Sequence, residues 1–162
     1  MRYFEKFTKV LLSAIVLSAV FVNMAFAAED LNESVVPVLE AEVQALDTDT
    51  NSTVRSTTFA DATISIQYSA SGMSISISTS MSQIASVVGV KDIEIQIKNG
   101  SSWVTVATST GAELYNVPGC VVDLTYTGSI EGETYRVLCT HYGNVDGYRE
   151  LYHESAGFKC VY

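Results

Sequence analysis

From Thr58 onward the sequence alternates between apolar and polar residues with a period of two, and that pattern constrains this chain more than anything else in it. Ile64, Ile66 and Tyr68 alternate with Thr63, Ser65 and Gln67. After Ser71-Gly72, the residues Met73, Ile75, Ile77, Thr79 and Met81 alternate with an unbroken serine row at 74, 76, 78 and 80. A strand turns successive side chains to opposite faces, so each run sets one row in a core and the other in water. Ile93, Ile95 and Ile97 then alternate with Asp92, Glu94, Gln96 and Lys98. Asn99-Gly100 supplies the left-handed backbone of a tight hairpin, which predicts Val104 beside Ile95 and Val106 beside Ile93. Later rows are Val122, Leu124 and Tyr126, then Tyr135, Val137 and Cys139, with a last strand from Tyr148 that breaks near Ala156-Gly157 and resumes to Tyr162. Seven strands with a turn signal every dozen or so residues predict an all-β, antiparallel sandwich over residues 58–162.

The residues before this domain have a different character. Arg2, Lys6 and Lys9 form a basic head, an uncharged run covers Val10 to Val22, and Ala25-Phe26-Ala27 is a small-x-small cleavage site. That order predicts a secretory signal peptide over residues 1–27. The run is too short to span a bilayer comfortably, which takes about 20 residues. The expected product starts at Ala28, secreted and free of the membrane. Residues 28–57 carry seven acids and one base, Arg55. They predict a mostly disordered acidic spacer, with at most a short helix between Val38 and Leu46 that follows Pro37. A pro-segment or a partner-binding helix is the functional alternative for this stretch.

Charge narrows the partners. The whole chain has 18 acidic and 9 basic residues, and the predicted signal peptide holds one acid and three bases. The remainder has 17 acids and 6 bases, a formal charge of −11. Such a surface repels phosphate backbones and anionic lipid alike, which argues against nucleic-acid and membrane partners.

Two stretches resemble a known pattern. Ile93 to Val106, IEIQIKNGSSWVTV, resembles the central hairpin of fibronectin type III domains, with its tryptophan just past the turn. Gly132 to Gly143, GETYRVLCTHYG, resembles the penultimate strand of that immunoglobulin-like sandwich. The resemblance implies that Tyr135 is the corner tyrosine, hydrogen-bonded back to the preceding loop. From about Arg55 to Tyr162 the chain also resembles small secreted bacterial proteins with a domain of unknown function. Those share a signal peptide, a short spacer, a tryptophan hairpin and a late segment matched here by Gly132, Tyr135, Arg136, Val137, His141 and Glu150. Neither resemblance supplies an activity.

Three cysteines allow one intramolecular bridge. Cys120 and Cys139 lie about equally far either side of the Gly128–Gly132 turn, on strands expected in opposite sheets, which predicts a Cys120–Cys139 disulfide across the core. Cys160 lies near the far end of the last strand, beyond bridging distance, and is predicted to be a free thiol. Three buried, reduced thiols are the alternative.

Chemistry-bearing residues are few. His141 is expected opposite Arg149 or Glu150, with His153 some three residues further down the ladder. That is too far apart for one metal, and no spacing matches a known ligand set. Cys139 and His141 share a strand face that reads as core, which does not suit a nucleophile and base. No phosphate loop follows a strand. No catalytic residue, cofactor or metal is therefore assigned. Trp103, Tyr142, Tyr148 and Tyr152 fall around two hairpins expected to be neighbours, a composition common in contact sites, although ordinary amphipathic strands produce it too. The serine row is either a hydroxyl ladder for sugar or a solvated strand face. The function these features imply is non-enzymatic binding or adhesion at the cell surface or in the extracellular space, to a protein or an envelope polysaccharide. The alternative is a secreted effector, toxin-like or inhibitory, with the spacer as a removable pro-segment.

Overall fold

The alternating rows assemble into two antiparallel sheets packed face to face. The computed structural model describes residues 36–46 and 59–161. The predicted signal peptide and the rest of the spacer lie outside the described residues. The strands are β1 (Glu42–Ala45), β2 (Phe59–Ser69), β3 (Gly72–Ala85), β4 (Val87–Asn99), β5 (Ser102–Leu114), β6 (Val117–Tyr126), β7 (Thr134–Asn144), β8 (Tyr148–Glu154) and β9 (Phe158–Lys159). The first sheet has the order β1-β6-β3-β2 and the second β5-β4-β7-β8, with β9 pairing the start of β7. No helix occurs among the described residues.

The core is made of the apolar rows. Ile75 and Ile77 of β3, Val122 and Leu124 of β6, Val88, Val90, Ile93 and Ile95 of β4, and Val137 of β7 are all buried. Each such side chain contributes about 1.5–3 kcal/mol by leaving water. The serines of β3 point the other way and stay exposed or half-buried. Tyr135 is fully buried, and its hydroxyl accepts the Ile130 N–H at 2.9 Å, which ties the loop before β7 to the strand. Its ring meets Tyr126 edge-on at 6.3 Å. Tyr135→Phe removes one hydrogen bond while keeping the ring, so urea unfolding should show a loss of about 1 kcal/mol with an unchanged m-value.

Three expectations need correction. The helix between Val38 and Leu46 does not form. Leu39, Ala41 and Val43 pack against the core at a period of two, and that spacing is a strand's. Leu39 N–H donates to Thr108 O at 2.7 Å and Thr108 N–H donates to Pro37 O at 2.9 Å, so the segment first lies parallel along β5. It then crosses to pair with β6 as β1. Residues 37–45 thus border both sheets, and nine strands stand where seven were expected. The β4–β5 register also differs. The two turn residues are Gly100 and Ser101, with Asn99 opposite Ser102, so Val104 faces Ile97. A bulge at Ile95/Gln96 then sets Ala107 opposite Ile95.

Candidate functional site

Alternation along β7 sends Tyr135, Val137, Cys139 and His141 inward together. The β7–β8 hairpin closes with Asn144 opposite Tyr148, which sets His141 against Leu151 and Cys139 against His153. This corrects the expected register. His141 and His153 become diagonal neighbours on one face, with Nε2 of His141 3.2 Å from Nδ1 of His153. The Cys139 thiol lies 3.5 Å from the same Nε2. On the other side of the ring, Nδ1 of His141 meets Thr79 Oγ1 at 2.7 Å. Thr79 belongs to β3, so this contact joins the two sheets. His141, Cys139 and Thr79 are fully buried.

Burial decides the chemistry of this row. It lowers the His141 pKa to about 4, with the charge of His153 acting the same way and that of Asp61 opposing. Burial also pushes the Cys139 thiol up to about 12. The imidazole is therefore neutral at neutral pH, and the thiol stays protonated and out of contact with solvent. A neutral imidazole has one donor and one acceptor nitrogen, and here both ring nitrogens have partners. The row works as a hydrogen-bonded pin through the core. Among the described residues, no three His, Cys, Asp or Glu side chains are placed to hold a metal ion.

The cysteines require a further correction. Cys120, Cys139 and Cys160 are free and fully buried, and the Cys120–Cys139 bridge is not formed. Cys120 pairs with Thr79 in the first sheet, and the residue brought across to that row is His141, one inward step along β7 from Cys139. Burial raises the Cys120 thiol to about 11, only partly offset by its hydrogen bond to Thr79. Cys160 is held by backbone hydrogen bonds at Gly132 and Glu133, at the opposite end of β7 from His141.

The four aromatic residues share the outward face of the second sheet but fall into separate groups. Tyr142 lies across Gly89, where an added Cβ would stand 2.7 Å from the ring. From there its hydroxyl reaches Glu113 on β5, whose other oxygen accepts from Tyr115. Tyr148 packs at 5.9 Å from Tyr142, and Lys91 sits over both rings and pairs with Glu150. Tyr152 is 60% exposed on the same face of β8, four residues along from Tyr148 at 51%. Trp103 stands apart, stacked under Arg136 at 4.5 Å. Arg136 in turn bonds Gln96 and Glu154. Arg136 and Tyr142 are six steps apart along β7, about 20 Å of strand.

Lys91, Glu113, Tyr115 and Arg136 complete this face; the sequence reading missed the first three and named Arg136 only within the late segment of the resemblance, with no contact role. Glu113 and Tyr115 alternate past Gly111 in step with β5, which is the signal that would have found them. On the first sheet, the serine row borders a shallow groove of about 330 Å³ lined by Ser65, Gln67, Ser74, Ser76, Asp123 and Thr125. No family model, curated protein or solved structure matches the chain.

Proposed function

We propose that this is an exported, non-enzymatic binding protein that acts at the cell surface or in the extracellular space, with the outward face of the second sheet as its contact surface. The observation that carries this reading is the exposed tyrosine group on β8. Tyr148 and Tyr152 stand out from a face whose other polar groups are already fixed by Lys91–Glu150, Tyr142–Glu113 and Arg136–Glu154. Exposed aromatic side chains on a rigid support bind with little loss of conformational entropy. The core histidine and the Cys120 and Cys139 thiols, neutral and enclosed, favour a structural role over turnover.

The same reading takes β2 to β8 as the seven strands of a fibronectin type III-like sandwich. Support comes from the strand orders β6-β3-β2 and β5-β4-β7-β8 and from the Tyr135–Ile130 hydrogen bond. An effector with a pro-segment reaching residue 57 fits less well, because removing it would strip residues 37–45 from the edges of both sheets.

Depletion of the protein from solution by purified cell-wall sacculi, measured across a range of salt, tests the envelope-polysaccharide form of this function. Saturable depletion that survives salt is expected. Tyr148→Ala with Tyr152→Ala should weaken it about tenfold or more and leave the unfolding midpoint nearly unchanged. Binding that is indifferent to both substitutions would remove the aromatic face from the argument.

A further inference from the structure

The contact between His141 and His153 has room for one shared proton. In a neutral pair, one ring nitrogen donates across the 3.2 Å gap and the other accepts. When both rings are protonated, two N–H groups face each other and the hydrogen bond is lost. His141 cannot turn away, because it is fully buried and Thr79 of the opposite sheet holds its Nδ1. His153 can, because it lies on the edge strand. Every other residue of β8 is exposed, so His153 is that strand's only partly buried side chain. On its inner face this imidazole is the side chain of β8 that hydrogen-bonds into the protein, with Leu151, 41% exposed, lying opposite His141.

We propose that the His141–His153 contact is an acid-released latch on β8: protonation of both rings turns His153 out to water and loosens the strand from β7. Release would bare the backbone N–H and C=O groups of β7 from Leu138 to Asn144, which β8 now pairs. A bared strand edge is a template for strand addition by a partner or a second copy. The groups around the latch set its sign. Asp61 of β2 favours the protonated pair. Cys120 of β6 and Cys139 of β7 are neutral thiols that cannot compensate a second charge. Arg149, on the same face of β8 as His153 but exposed, adds positive charge to the strand. On the outward face Lys91–Glu150 and Arg136–Glu154 also tie β8 down, and acid weakens these pairs as well, so the test must separate the two causes.

Amide hydrogen exchange of the purified protein, corrected for intrinsic rates, makes that separation at pH 7 and about pH 3.5, below the value of about 4 at which the His141 ring charges. In the wild type, protection of Leu151–Glu154 should fall at least about tenfold more than protection of Ile75 and Ile77 on β3. His153→Phe keeps Glu150 and Glu154 but removes the titrating ring, and its β8 should lose no more protection than β3. An equal loss in His153→Phe would assign the effect to the carboxylates and overturn the latch, as would an undiminished β8 in the wild type. Should His153→Phe fold poorly, ring-nitrogen NMR of the wild type decides. The His141 ring must gain its proton in the same pH step that releases the β8 amides, and separate steps overturn the proposal.

Discussion

Alanine at Gly111 should remove about 4 kcal/mol of folding stability, close to the largest effect a single methyl group produces. Gly111 sits in β5 opposite Lys91 with φ at +79°, a conformation that disfavours any residue with a Cβ. The neighbouring chain makes it worse. A Cβ built there would lie 1.9 Å from the carbonyl oxygen of Val90 and 2.7 Å from its carbon. Both atoms are backbone in the middle of the second sheet, so no side-chain rotation relieves the clash. Gly100 is the control. Its φ is +61° in the β4–β5 turn, and a Cβ there meets nothing within 4 Å. Gly100→Ala should therefore cost only the backbone preference, about 1 kcal/mol. Urea unfolding of the two variants separates conformational strain from steric exclusion. Equal losses would mean that β5 shifts freely against β4, and the β4–β5 register would need revision.

The class of fold was readable because alternation is a local property. Ile75, Ile77, Val122, Leu124 and Val137 declare their faces without knowledge of any partner strand. Register is not local in that sense. The hairpin at Asn99-Gly100 was placed two residues out because the turn uses Gly100 and Ser101. The bulges at Ile95/Gln96 and between Lys91 and Glu94 depend on two neighbouring strands at once. Asp92, held at a φ of +52°, marks the second of these; aspartate tolerates that conformation better than glutamate does, but its type alone does not place a bulge. Residues 37–45 failed for another reason. Their acids and Pro37 resemble a linker, and the alternation of Leu39, Ala41 and Val43 is too short to stand out until β5 and β6 supply edges for it.

The site repeats this lesson at the level of side chains. That Cys139 and His141 share an inward face follows from their spacing. That His153 joins them depends on the β7–β8 turn closing at Asn144 and Tyr148, one to two residues from the expected register. The disulfide expectation failed by a similar margin, since one step along β7 decides whether Cys139 or His141 meets the row of Cys120 and Thr79. On the outward face, Tyr142, Tyr148 and Tyr152 were visible as aromatic residues. Their support by Lys91 and Glu113 was not, because those residues come from β4 and β5, far away in sequence.

The second large effect is a loss of stability in acid that traces to one residue. His141 is neutral in the folded protein, with its pKa lowered from 6.5 to about 4 by burial, by the charge of His153 and against the pull of Asp61. An unfolded chain regains the ordinary value. Between these two pH values the unfolded state binds a proton that the folded state refuses, so protons favour unfolding there. The contribution is complete above about pH 6.5, declines as pH falls towards 4, and is gone below that. A shift of this size corresponds to about 3 kcal/mol. His141→Gln keeps a polar partner for Thr79 and cannot titrate. It should be less stable than the wild type at pH 7.5 by about 1–3 kcal/mol, because the amide does not reproduce both ring contacts. Its stability should then fall less between pH 6.5 and 4, so the two proteins converge in acid. Urea midpoints of both proteins at pH 7.5, 5.5 and 4 measure this directly. Parallel curves would show that the acid sensitivity belongs to carboxylates elsewhere, and that His141 keeps its ordinary affinity for protons within the core.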